Sequence, residues 1–337
     1  MIQPGAAAEP SRISVRRLVD RPIVGPDLHA SIGVNIQGPS LIRVPDWIVG
    51  GLGRYYLYFA DHKGSYIRLA YADALQGPWY IHSPGSLQLA GSHFPVLPLM
   101  PRPNASANDD ARLPGRAPAG TPGIPPPLED ATIAHIASPD VHVDHENRRI
   151  VMYFHGLVAF GTQRTRVATS VNGIDFEARE ELLGPSYFRV FRHAGVTYAL
   201  AMPGILLRSR DGLSGFERGP SLFEGLQRHT ALRKLGDRLD VFWTRVGDAP
   251  ERIYCSTVDL SGPWEGWRTG EAVEILRPET DWEGAALPLL PSYRGAISLP
   301  VNQLRDPAIY EEDGRVYLLY AFKGEAGIAI AELLPAR

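Results

Sequence analysis

Two aspartates stand beside prolines in short polar phrases, Ser138-Pro139-Asp140-Val141 and Arg305-Asp306-Pro307-Ala308. Carboxyl groups placed in pairs, one charged and one protonated, are common equipment for general acid and base chemistry. A third carboxylate, Glu283, lies in Asp281-Trp282-Glu283-Gly284. Imidazoles at His135, His155 and His229 add groups that exchange protons near neutral pH. Arg189 and Arg245 carry planar guanidinium forks suited to gripping a carboxylate or a phosphate. The densest polar run, Asp61-His62-Lys63-Gly64, reads equally as a binding rim or as a solvated hairpin turn. An aspartate next to a proline is itself a frequent turn former, so Asp140 and Asp306 carry both readings.

Residues so far apart act together only if the fold brings them to one place, and the chain supplies the means by repeating itself. Gly38-Pro39-Ser40 leads to strand-like runs at 54–59 and 67–71, and Ser138-Pro139-Asp140 leads to 150–154 and 167–170. Gly184-Pro185-Ser186 leads to 196–201 and 205–210, and Arg228-His229-Thr230 to 239–244 and 253–258. A fifth copy runs from Asp306-Pro307-Ala308 to 316–320 and 327–331. A repeat of roughly 45 residues built from short strands is the signature of a propeller blade. The expectation is an all-β, five-bladed β-propeller forming one domain over 1–337. Its innermost strands line a central funnel, so the phrase residues form a polar ring: Gln37, Ser40, His135, Ser138, Asp140, Tyr187, Arg189, Arg228, His229, Arg305 and Asp306. Asp61-His62-Lys63, His155, Arg245, Asp248, Lys323 and Glu325 follow the middle strands as a second tier.

The fifth copy lacks a last strand, and a closed ring must satisfy its edges. Residues 12–24, with the alternating Ile13, Val15 and Leu18, are expected to supply it. Two insertions interrupt the rhythm. Residues 94–128 are too rich in proline for a central strand or a helix interior, and residues 268–304 precede the last copy. Trp79 and Trp264 fall on matched Gly-Pro-Trp tags and are expected in the core.

Composition excludes several classes of function. The net charge of -3, without a basic stripe, argues against nucleic acid as a partner. The 34 Gly and 30 Pro fit many tight turns. The single Cys255 rules out an internal disulfide and sits in an apolar run, as a buried thiol would. No apolar stretch is long enough to cross a membrane, so no membrane partner is expected. The N-terminus shows no charged head followed by an apolar run, which favours a cytoplasmic location if that end is native. Histidines do not fall at zinc spacing and no phosphate loop precedes a helix, so neither metal nor cofactor is expected.

In these phrases the chain resembles the five-bladed glycoside hydrolases of families 43, 62 and 117. Ser138-Pro139-Asp140-Val141 is similar to the second-blade segment whose aspartate orients and tunes the general acid. Arg305-Asp306-Pro307-Ala308, followed by Gly314-Arg315-Val316-Tyr317-Leu318-Leu319-Tyr320, is similar to the segment carrying the general base. The resemblance implies exo-acting cleavage of a glycosidic bond in the axial funnel, with a carbohydrate as substrate. Asp306 would then be the base, Glu283 the acid, and Asp140 a tuning or sugar-binding residue. The chain departs from that pattern at Gly38, where the first-blade base stands, and at Leu183, where the third-blade acid stands. A histidine acid among His135, His155 and His229 is the other option. Asp61, His62, His135, Arg189, His229, Arg245 and Trp282 are the candidate sugar-binding residues, with Trp47 and Trp243 as further stacking surfaces. Two rivals remain. A non-catalytic glycan-binding propeller would show a broad aromatic face. A phosphorylase or lyase would cluster Arg and His without a facing acid.

Overall fold

The computed structural model describes residues 13–100, 115–118 and 120–335. Pro101, Pro103 and Pro114 of the first insertion lie outside the described residues. Strand β1 (Ile13–Arg17) is followed by a first blade of β2 (Gln37–Arg43), β3 (Tyr55–Ala60), β4 (Tyr66–Ala72) and β5 (Tyr80–Gln88). A short helix, α1 (Pro127–Thr132), ends the first insertion. The second blade holds β6 (Ile136–Asp144), β7 (Arg149–Ala159) and β8 (Thr162–Ser170), with β9 (Glu177–Ala178) and β10 (Gly184–Pro185) both pairing β8. The third holds β11 (Arg189–His193), β12 (Val196–Ala201), β13 (Ile205–Ser209) and β14 (Glu217–Ser221). The fourth holds β15 (Gln227–Leu235), β16 (Arg238–Arg245), β17 (Ile253–Asp259) and β18 (Val273–Leu276). The fifth holds β19 (Arg305–Glu312), β20 (Arg315–Ala321) and β21 (Ile328–Pro335), and β1 completes it antiparallel to β21. The protein is thus an all-β, five-bladed propeller whose ring is closed by its N-terminal strand.

Middle strands are apolar at nearly every position because each blade is sandwiched between two others. Along β3, Tyr55, Leu57 and Phe59 pack towards the fifth blade, while Tyr56, Tyr58 and Ala60 pack towards the second. Strand β20 divides the same way, with Tyr317 and Leu319 facing the first blade and Val316, Leu318 and Tyr320 the fourth. The period of two persists, but both faces are buried. Fully burying a Leu or Phe side chain contributes about 1.5–3 kcal/mol, so these faces hold the ring together. The repeat tags join the same layers: Trp79, Phe176, Phe216 and Trp264 each enter the cluster shared with the preceding blade.

Closure rests on more than the ladder. Arg17 of β1 donates from Nε to Glu283 Oε1 at 2.7 Å and from Nη2 to Oε2 at 2.8 Å. Glu283 also accepts the Tyr320 hydroxyl at 2.7 Å and the amide of Glu279 at 3.1 Å. No helix of the described residues is long and apolar enough to cross a membrane.

Candidate active site

Four of the five innermost strands break their ladder near the start, and the third, β11, begins only after the equivalent point. Register shifts between Gln37 and Ser40, Ala137 and Asp140, Arg228 and Thr230, and Arg305 and Ala308. The residue at the equivalent point of every blade has a left-handed backbone: Gly38 (φ 65°), Ser138 (49°), Tyr187 (66°), His229 (42°) and Asp306 (47°). A non-glycine residue held in this region costs of order 1–3 kcal/mol and persists where its surroundings over-determine it. Bulges of this kind re-aim side chains. Here they divide the axis into two spaces.

The first space is a polar chamber of ≈ 80 Å³. Gln37, Ser138, Tyr187, Arg228 and His229 line it from the inner strands, and His62 and His155 from the ends of the middle strands. The two insertions close it, contributing Arg116 and Asp130 from one and Arg294 and Gly295 from the other. They are joined to each other: the Arg294 amide donates to Gly115 at 2.8 Å and the Ser298 amide to Gly123 at 2.7 Å. Lys63 Nζ lies 2.9 Å from Asp130 Oδ1, tying α1 to the first blade. Arg228 donates to the carbonyl of Tyr293 and holds the second insertion against the axis.

Around this chamber, carboxylates stand behind the groups that face it. The Tyr187 hydroxyl donates to Asp306 Oδ1 at 2.7 Å, and Asp306 Oδ2 is buried without a hydrogen-bond partner. Burial raises the Tyr187 pKa well above its ordinary value, and the charge of Asp306 adds to this. His62 Nδ1 lies 3.3 Å from Glu325 Oε1. Burial alone would raise the Glu325 pKa, but His62 and Arg305 outweigh it and hold the carboxyl low. Arg305 is fully buried between Glu325 (2.8 Å) and Glu251 (2.9 Å). Glu251 is held at about 2, because Arg228 and Arg305 overcome the desolvation that raises it.

Three of the imidazoles are held towards the neutral form. Burial pushes His135 down to about 3 and lowers His155 and His229 as well, with Arg228 opposing a second positive charge on His229. Arg228 Nη2 points at His229 Nε2 across 3.0 Å. That network assigns Nε2 as acceptor and leaves the proton on Nδ1, which faces Thr244 Oγ1 at 3.2 Å. His135 stands behind the wall, against the carbonyl of Ile133 (2.7 Å) and the Gln163 amide (3.3 Å).

The second space, on the other side of the partition, is an open bowl of ≈ 670 Å³. Its floor is the ring two residues past each left-handed position: Ser40, Asp140, Arg189, Ala231 and Ala308. Asp140 accepts from His142 Nε2 at 2.7 Å and from the Val190 amide at 2.8 Å. Burial alone would raise its pKa, but His142 and Arg189 lower it.

These positions correct several expectations. Asp140 and Asp306 are two residues out of phase and belong to opposite spaces, so Asp140 does not tune an acid beside Asp306. Glu283 does not enter the chamber; its ion pair with Arg17 and its bond to Tyr320 lower its pKa, contrary to what a proton donor needs. The third phrase is not Gly184-Pro185-Ser186, which is the edge strand β10; Tyr187 is the true counterpart of Asp306. In the fourth, His229 rather than Arg228 matches it. Asp61 accepts from the Lys63 amide (2.9 Å) and Arg68 (3.3 Å), stabilising the turn that carries His62. Arg245 lies over the rings of Trp243 and Tyr254, at 5.2 and 4.9 Å. Trp282 packs edge-on against Phe322 at 5.6 Å. Neither lines the chamber or the bowl. Glu251, Asp130, Gln303 and Asn35 were not singled out in the sequence. For Glu251 a signal existed: it lies in the turn after a middle strand, as His62 and Glu325 do.

The fold is a five-bladed propeller like those of the family-43 glycoside hydrolases. The structure is similar to a GH43_1 enzyme from Xanthomonas citri (TM-score 0.53, 12% identity, covering 93% of this chain and 90% of that one). It is also similar to CoXyl43, a GH43 β-xylosidase/α-arabinofuranosidase from a compost microbial metagenome (TM-score 0.52, 12% identity, 94% of each chain). An exo-β-1,3-galactanase from Phanerochaete chrysosporium matches with a TM-score of 0.50 and 12% identity, over 90% of this chain and 61% of that one. At these identities the likeness is one of fold. No family model matches the chain. By sequence it belongs to the family of the uncharacterized protein R118 of Acanthamoeba polyphaga mimivirus, to which it is 36% identical over 326 residues, 89% of this chain and 84% of that protein.

Proposed function

We propose that the protein is a carbohydrate-active enzyme that cleaves a terminal glycosidic bond in the axial chamber. The observation that carries this reading is the pair of carboxylate-backed groups at the chamber wall, Tyr187 on Asp306 and His62 on Glu325. They come from the third and first blades, which are not neighbours, so they reach the chamber from different sides. Glycoside hydrolysis needs one group to donate a proton to the leaving oxygen and another to activate the nucleophile. Asp306, set behind Tyr187 with Oδ2 unpartnered, is the carboxylate that takes up the proton through the Tyr187 hydroxyl. His62, whose Nδ1 lies 3.3 Å from Glu325 Oε1, supplies the second group, opposite Tyr187. A capped cavity on the axis favours exo action, because only a chain end fits such a space. At ≈ 80 Å³ the chamber admits a sugar only when the cap of 115–132 and 292–298 moves aside.

The test is turnover of aryl glycosides and of xylo- and β-1,3-galacto-oligosaccharides, since similar structures contain xylotriose and galactose. Asp306→Asn and His62→Gln should each lower kcat by 10²–10⁴, the usual weight of a general acid or base. Full activity in both variants would refute the assignment.

A second reading is phosphorolysis. Arg228 and His229 meet Arg116 and Arg294 at the chamber wall, with Asp306 set behind, and such a cluster suits a phosphate nucleophile. Running the same assays with and without inorganic phosphate separates the two. Sugar phosphate formed only when phosphate is present would establish phosphorolysis. Saturable glycan binding without turnover under either condition would instead indicate a binding propeller.

A further inference from the structure

We propose that the open bowl opposite the chamber is a second ligand site that takes a small anionic sugar, one bearing a carboxylate or a phosphate. Arg189 forms part of its floor and is almost fully buried (3% exposed). Its Nε donates to Thr230 and its Nη1 to Ser138 and Phe188, which fixes the guanidinium, yet Nη2 is buried with no hydrogen-bond partner. A desolvated charged donor without a partner is costly, and a ligand oxyanion would satisfy it. Lys234 stands on the wall of the same bowl and has no acidic partner among the described residues.

All but one of the acids around it are already occupied. Asp140 Oδ2 is held by His142 and the Val190 amide, and its carboxylate also faces Arg189. Glu311 pairs with Arg233 at 3.2 Å, and Glu312 with Arg43 at 2.9 Å and Arg54 at 3.2 Å. Asp46, exposed on the rim, is the acid without a partner there. The donors left over at the floor and wall are therefore Arg189 Nη2, which has no hydrogen-bond partner, and the Lys234 ammonium. The cavity, ≈ 670 Å³, lies in the range of about 300–1,000 Å³ usual for small-molecule sites. Trp47, half-buried beside His145 with ring centroids 5.3 Å apart, offers an apolar face on which a sugar ring can lie.

This site does not depend on the reaction proposed for the chamber. Calorimetric titration of the full chain with glucuronate, glucose 6-phosphate and glucose tests it, the first two distinguishing a carboxylate from a phosphate ligand. The expected result is saturable binding of at least one anion and none of glucose. Lys234→Ala should weaken that binding at least tenfold, and Arg189→Lys should weaken it similarly, because the fork geometry is lost. Arg189→Lys is compared only if thermal unfolding shows it folded; Lys234→Glu, on the cavity wall, should abolish binding in either case. No binding of either anion, equal binding of glucose, or affinity unchanged in the Lys234 variants would overturn the proposal.

Discussion

At the scale of residues, the axis is governed by which side chain occupies the left-handed position of each blade. Asp306 and Tyr187 both do, and their 2.7 Å hydrogen bond spans the space between the third and fifth blades. Tyr187→Phe removes the donor and leaves Asp306 buried with neither oxygen satisfied by a hydroxyl. The expected outcome is a loss of kcat of roughly 10²-fold, with KM moved less, read from steady-state kinetics on the best substrate found. Cys255 takes no part in this chemistry. It is buried, and desolvation raises its thiol to about 12, so thiol reagents should leave the native protein unmodified and react only on unfolding.

At the scale of elements, the two insertions and β1 are additions to the repeat, and each has a mechanical role. The cap depends on close backbone approach at Gly115, which has φ 88° and would place a Cβ 1.9 Å from Val246 Cγ1. Gly115→Ala should therefore lift the cap from the chamber. Proteolysis within 115–132 should become faster and KM should change, while the melting temperature moves little; an unchanged cleavage rate would contradict the cap. Strand β1 is held by Arg17, whose partner Glu283 is wholly buried. Arg17→Ala strands that carboxylate, and breaking a buried pair costs about 3–5 kcal/mol. The partial exposure of Arg17 (19%) puts the expectation at the lower end of that range, measured by urea unfolding. Glu283 is thus a closure residue, and Glu283→Gln should cost stability rather than catalysis.

At the scale of the whole molecule, the buried imidazoles predict how stability follows pH. His135, His155 and His229 have folded pKa values below the ordinary 6.5, so between the two values the unfolded chain binds more protons. Stability should fall as pH drops below about 6.5, by up to about 1.4 kcal/mol per pH unit per group, and for His135 down to about 3. Glu251 has a depressed pKa, so its contribution is present above its unfolded value and is lost only towards about 2. Thermal unfolding should therefore weaken between pH 6.5 and 5, before the carboxylates titrate, and His135→Gln should flatten that slope.

By itself the sequence determined the propeller, its five blades and its closure by residues near the N-terminus. Those follow from short-range patterns: apolar strands at a fixed period, Gly-Pro-Trp tags and an orphan edge. It also brought Asp306, Tyr187, His62 and His229 to notice as polar groups where strands should be apolar. What only the tertiary structure decided was the phase of each copy. Where a residue stands relative to the left-handed position of its blade decides which space it meets, and the bulges there shift that count without leaving a mark in composition. Asp140 follows its proline and Asp306 precedes the equivalent one, so Asp140 lies on the floor of the bowl while Asp306 stands behind Tyr187 at the chamber wall. Glu283, expected as the acid, and Glu251, which no phrase pointed to, both lie outside the blade phrases. Their arginine partners, Arg17 for one and Arg228 with Arg305 for the other, lie far along the chain, and only the closed ring brings each pair together.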